Sequence, residues 1–286
     1  MSPPSPSLPP GGRRLKVQYA MLIALLLFIV PVAVSVAMYA PAQQPWYAAS
    51  RAATPVAGAE AVALDLADPA TWEGALGGVR GTFLLIPPGL GGRPLLPFLA
   101  RARGFGAGPF AFLSVQGAES SRLVPHRAVE DALTAGPRDW TILRPGFFAQ
   151  NLGDAYGRDI RDDSRLHVPA GRARVAWTDA RDLGEVAATA LAEPEAHAGA
   201  AYPLTGAESL SFAEAAAIMS DTLGRPVRYE PAGALGYLRH LRRRGTPWVQ
   251  ALVYLRLHVG LRWGEGDRPT PDLGRLLGRA PRTLGD

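Results

Sequence analysis

The chain has 286 residues, nearly half of them apolar, so it can bury a core of domain size and does not read as a disordered polypeptide. It contains no cysteine, which excludes disulfides, thiolate metal sites and a cysteine nucleophile, and its five histidines show no metal-ligand spacing. The formal charge of +5 is set largely at the front. Without Arg13, Arg14 and Lys16, 27 of the 30 basic residues face 25 acidic ones, a balance that argues against a nucleic-acid-binding body.

Residues 1–16, opening "MSPPSPSLPPGG", read as a proline- and serine-rich disordered tail. From Val17 to Ser50 no side chain is charged, and Ala20–Ala40 supplies 21 residues where a bilayer-spanning helix needs about 20. The pattern predicts a transmembrane or signal-anchor helix over residues 17–42, through which the membrane becomes a partner. Tyr39, Trp46 and Tyr47 then stand where an interfacial aromatic belt belongs, and the basic flank places the tail in the cytoplasm. Two other readings compete. "APAQ" offers a signal-peptide cleavage pattern at Ala40-x-Ala42, and the segment can also be a buried core strand or helix, in which case the protein is expected to be cytoplasmic.

After Arg51 short apolar runs alternate with amphipathic segments. "EAVALDL" (60–66) reads as a strand, and "ADPATWEGAL" as a helix with Asp68 as N-cap and Pro69 at the first helical position. "GTFLLIPP" (81–88), "PFAFLSVQG" (109–117) and "DWTILRPG" (139–146) read as buried strands. Helices are predicted over "PLLPFLARAR", over 124–136 and over 179–194. Continuous apolar strands alternating with helices imply a doubly wound, Rossmann-like parallel sheet. The last third reads as a smaller α/β lobe. There "SFAEAAAIMSDTLG" opens on a capping box, Ser211 to Glu214, and stops at Gly224, followed by a short strand in "RPVRYEPAG". "PWVQALVYLRLHVGLRW" reads as an amphipathic helix rich in Trp, Leu and Val that covers a core, with a substrate lid or membrane contact as the alternative. The arginines 239, 242, 243 and 244 read as a solvated helix face. The expected domains are a partial nucleotide-binding domain at 51–195 and a substrate lobe at 196–286.

"ALDLADPATWEGAL", "FLLIPP", "FLSVQGAE", "VPHRAVEDAL", "DWTILRPGFFAQNL" and "TDARDLGEVAATAL" stand in the order seen in the NmrA-like family, atypical short-chain dehydrogenase relatives, and the chain resembles that family over roughly residues 51–284. The resemblance implies NAD(P) as cofactor, NADPH before NADH. It places Asp65 and Leu66 beside the adenine and Ile86, Pro87 and Pro88 along the cofactor. Ser114, Val115 and Gln116 would face the nicotinamide, with Pro145, Gly146, Phe147 and Phe148 as the wall beneath it and Asn151 on the substrate side. The glycine fingerprint that opens such domains is missing from residues 1–60, so the sheet is expected to be N-terminally incomplete, with loss of the cofactor as the alternative to its binding.

Lys16 is the only lysine, so no Tyr-x-x-x-Lys pair exists in the body. His126, four residues before Glu130 on one helix face, and Tyr156 remain as candidate catalytic groups, with no metal. A serine hydrolase built on Ser114, His126 and an aspartate is the weaker reading, because "LSVQG" is not a nucleophile elbow. The expected function is an NAD(P)H-dependent oxidoreductase or redox sensor. The alternatives are a membrane-anchored remnant that no longer binds dinucleotide and a rearranged N-terminal end.

Overall fold

The structure, a computed structural model, describes residues 36–39, 46–50, 59–86, 91–122 and 124–286, and only the backbone of 36–39, 46–50 and 59. The chain divides into two compact units, Met1–Pro145 with Ala180–Pro203, and Gly146–Asp179 with Leu204–Asp286.

The first unit carries a sheet built from β1 (Val36–Tyr39), β2 (Trp46–Ser50), β3 (Ala59–Ala63), β4 (Gly81–Leu85), β5 (Phe110–Leu113), β6 (Trp140–Pro145) and β10 (Ala200–Leu204). Their spatial order is β10-β6-β5-β4-β1-β2-β3. β4, β5 and β6 run parallel in register, Thr82 beside Phe110 and Phe110 beside Trp140, and β2 runs parallel to β3. These strands are apolar on both faces because helices lie on both sides; Phe83, Leu84, Phe110 and Phe112 have almost no exposure. The helices among the described residues of this unit are α1 (Trp72–Leu76), α2 (Leu95–Gly104), α3 (Pro125–Thr134), α5 (Ala180–Ala192) and the single turn α6 (Pro194–His197). The Asp68 carboxylate accepts from the Ala70 amide at 3.0 Å and starts a 3-10 turn at Pro69 that runs into α1. Trp72 meets Phe98 of α2 edge-on at 5.5 Å, tying both helices into the core.

The N-terminal expectation is corrected here. Most of the predicted span 17–42 lies outside the described residues, but its end, Val36–Tyr39, is a strand and not a helix. No helix among the described residues is long and apolar enough to cross a membrane. Nor is the sheet short of its central strand. β1 fills the place between β4 and β2, but antiparallel to both, with Val36 beside Leu84 and Tyr39 beside Gly81. Tyr39, Trp46 and Tyr47, expected in an interfacial belt, belong to β1 and β2. The error has a physical source: a charge-free run reports burial in an apolar environment and does not separate lipid from the middle of a sheet.

The second unit contains β7 (Phe147–Phe148), β9 (Arg174–Thr178) and β11 (Ser209–Ser211) in the order β11-β9-β7, and a pair of β8 (Arg165–Leu166) with β12 (Arg228–Tyr229). Around them lie α4 (Gly157–Asp163), α7 (Phe212–Leu223), α8 (Ala234–Arg243), α9 (Trp248–Leu261) and α10 (Asp272–Leu277). α7 starts with the predicted box: the Ser211 hydroxyl accepts from the Glu214 amide, and the Glu214 carboxylate accepts from the Ser211 amide. It ends at Gly224, whose φ of +62° few other residues adopt at low cost. Its core packs Tyr156, Trp177, Phe212, Tyr237 and Leu261 together.

Candidate functional site

In the first unit the predicted cofactor residues fall at the carboxyl ends of parallel strands, the edge where open α/β sheets bind ligands. Asp65 follows β3, and its carboxylate is drawn into its own loop, accepting from the Ala67 amide at 2.9 Å. Leu66 is only 3 % exposed and packs in the core, so its side chain offers no surface to an adenine, contrary to expectation. Ile86 follows β4, half-buried against the same core. Pro87 and Pro88 lie outside the described residues.

Past β5 the backbone of Gln116 donates to the Pro145 carbonyl at 3.0 Å, and Gly117 turns with φ +88°. Val115 and Gln116 stay half-buried there. Ser114 is 1 % exposed, and its hydroxyl donates to Glu130 of α3 at 2.5 Å. Glu130 is itself buried and takes a two-pronged contact from Arg144 of β6, at 2.7 and 3.0 Å. Those hydrogen bonds hold the Arg144 guanidinium above its usual range, outweighing partial burial. This Ser–Glu–Arg cluster fixes the ends of β5 and β6 against α3. The sequence signal for it was an arginine inside an apolar strand, "TILRP".

His126 sits in the first turn of α3 with its ring 6.1 Å from Phe112. Burial pushes it down to about 4, against the opposing pull of Glu130. At neutral pH it is therefore an uncharged ring. Its Nδ1 is buried and has no hydrogen-bond partner among the described residues.

The second unit gathers three of the predicted residues, Phe147, Asn151 and Tyr156, around a cavity of about 350 Å³. Sequence reasoning missed much of its wall, including Tyr237 and Leu241 from α8, Tyr254, Leu257 and His258 from α9, and the polar Arg158, Thr246 and Gln250. Tyr156 and His258 are almost fully buried and joined at 2.5 Å. The other ring nitrogen of His258 lies 2.6 Å from the Tyr254 carbonyl, which can only accept, so Nδ1 carries the proton and Nε2 accepts from the tyrosine hydroxyl. Burial pushes His258 down and the Tyr156 hydroxyl well up, so both groups are neutral. Phe147 stands edge-on to Trp177 at 5.2 Å and near His258 at 6.2 Å. At the rim, Asp159 of α4 bridges His240 and Arg244, both at 2.7 Å. Phe148 pairs in β7 with Thr178, and the Gly146 amide donates to the Leu204 carbonyl at 3.0 Å. No group of metal-ligating side chains occurs among the described residues.

Comparison with known proteins identifies the family and the fold. The family model described as the NmrA-like family matches residues 127–246. An NAD(P)H azoreductase of Xenophilus azovorans is 37 % identical over 60 % of this chain and 61 % of its own length, so the chain spans less than two thirds of that relative. The uncharacterized oxidoreductase YesF of Bacillus subtilis is 30 % identical over 83 % of each chain. Among solved structures, the NADPH-dependent quinone oxidoreductase QOR2 of Escherichia coli, complexed with NADPH, superposes with a TM-score of 0.67 at 22 % identity, covering 80 % of this chain and 82 % of that one. That likeness shows the Rossmann-like fold. With YesF matched along most of both chains, this chain belongs to the NmrA-like family.

Proposed function

We propose that the chain is a reductase of small aromatic acceptors that takes its electrons from NAD(P)H, with NADPH ahead of NADH. The observation that carries this reading is the cavity of about 350 Å³ walled by Phe147, Tyr156, Tyr237 and Tyr254. Its size is that of a small-molecule site, and its rings suit a planar guest stacked or held edge-on. The azoreductase named above supports the reaction class. Tyr156 is committed to His258, whereas Asn151 lines the cavity, makes no side-chain hydrogen bond among the described residues and so can offer a polar contact to the guest. Tyr156 and His258 act as a rigid neutral wall that holds Phe147 in place and keeps water out.

The dinucleotide fits this chain only in part. Asp65, Ile86, Ser114–Gln116 and Pro145 lie at strand ends in the expected row, but the pyrophosphate cradle does not fit. Residues 40–45 between β1 and β2, "APAQQP", contain no glycine and are too few for a crossover helix. Each backbone donor to a charged phosphate that is lost weakens binding by about 1.5–3 kcal/mol. Titration of the purified protein with NADPH and NADH, followed by reduction of an azo dye, tests the reading. Saturable binding with turnover supports it. Absence of saturation up to millimolar nucleotide refutes it and leaves a family member that kept the pocket without the electron source.

A further inference from the structure

α9 is apolar on both faces. Its inner side buries Ala251, His258 and Leu261. Its outer side leaves Trp248, Val249, Leu252, Val253 and Leu257 at least half exposed, with Trp263 exposed two residues beyond the helix. A helix apolar all round is ordinarily enclosed, and an exposed apolar face of this kind marks a contact surface. Charge decides what it contacts. Residues 234–263, which span α8 and α9, contain six arginines and no acidic residue. Arg244 is neutralised by Asp159, Asp162 and Asp163, and Arg256 by Glu265. Arg239, Arg242 and Arg243 on α8 are exposed and have no acidic partner among the described residues. The Arg242 guanidinium lies over the Trp248 ring at 5.0 Å, so the unpaired charge adjoins the apolar strip.

We propose that the α8–α9 hairpin is a peripheral docking surface for an anionic lipid bilayer, with the outer side chains of α9 in the interface and the α8 arginines on the headgroups. Tryptophan beside arginine is the pairing that headgroup depth favours, and apolar area plus positive charge supplies the two contributions that peripheral attachment needs. A second copy of the chain fits poorly, because a two-fold contact through this face sets the same unpaired arginines against one another. Nucleic acid fits poorly too, since Val249, Leu252 and Val253 give a phosphate backbone nothing to bind. Leu257 belongs both to this strip and to the cavity wall, so a docked molecule would open its pocket toward an apolar phase.

Co-sedimentation of the full chain with sucrose-loaded vesicles tests the assignment independently of any cofactor. The protein is expected to pellet with vesicles containing phosphatidylglycerol, less so as salt rises, and to stay in solution with phosphatidylcholine alone. Replacing Arg239, Arg242 and Arg243 together by Gln should lower the partition coefficient on the order of a hundredfold, from about fivefold for each arginine near a charged surface. Trp248→Ser with Val249→Ser should do the same, while both variants keep the thermal melting curve of the parent. Failure of the parent to bind, or unchanged binding by both variants, overturns the proposal. A dimer in the ultracentrifuge that Leu252→Glu dissociates also overturns it and gives this face to a second copy.

Discussion

Lowering the pH puts the placement of His126 to a quantitative test. Its ring, packed on Phe112 with Nδ1 lacking an acceptor, loses its proton at about 4 in the fold against 6.5 when exposed. Each pH unit of difference corresponds to 1.36 kcal/mol, so the full effect is about 3 kcal/mol. Its sign follows from proton counting. Between the two values the unfolded chain binds more protons than the folded one, so the stability held by the neutral ring is complete above 6.5, drains away as pH falls and is gone below about 4. Carboxylates titrate over part of the same range, and His258 and His167 are pushed down by burial in the same sense. Comparison with His126→Phe cancels those contributions. Urea unfolding across this range should show the parent's stability falling toward that of the variant, with the difference changing by about 3 kcal/mol. Proton NMR of the imidazole should give a midpoint near 4. A midpoint near 6.5 with a flat difference would refute the burial argument and return His126 as a proton donor, a role that about one molecule in a thousand is charged to perform at neutral pH.

Three further substitutions separate fold from chemistry. Arg144→Met leaves the Glu130 carboxylate, 4 % exposed, with the Ser114 hydroxyl as its remaining side-chain contact, and should cost about 3–5 kcal/mol in urea unfolding. Glu130→Ala should cost less, because Arg144 is more exposed and keeps Glu119 at 3.5 Å; equal losses would show that the pair is not the buried element described. Tyr156→Phe leaves Nε2 of His258 without a donor and should lower stability by about 1–3 kcal/mol while leaving acceptor reduction within about threefold. A large fall in kcat at unchanged stability would mean that the hydroxyl serves the acceptor and not the histidine.

What could be read from the sequence was what neighbouring residues decide. Asp68 before Pro69 and Ser211 before Glu214 announce helix starts through contacts two or three positions away, and both formed as expected. The strand ends near Leu85, Leu113 and Pro145 were legible because apolar runs broken by Pro and Gly punctuate a parallel sheet. The pocket was legible by half. Phe147, Asn151 and Tyr156 lie close together in sequence, whereas His258 is 102 positions from the tyrosine it contacts. Leu66 and Ser114 stand at the right places, but periodicity does not reveal that one is enclosed and the other engaged by a buried carboxylate. The N-terminal segment failed for the opposite reason. Its local signal was strong, yet β1 is determined by the strands it lies between.

The reversed polarity of β1 limits how this molecule can be re-engineered. Because Tyr39 lies beside Gly81 and Trp46 beside Ala59, the short link from β1 to β2 leaves and re-enters at the margin of the sheet where β3 and β4 begin. Grafting a glycine-rich turn into that link would plant it on the far margin from Ile86 and Ser114. Restoring a full dinucleotide cleft therefore requires threading the central strand in the other direction, and no set of point substitutions within residues 40–45 can achieve that.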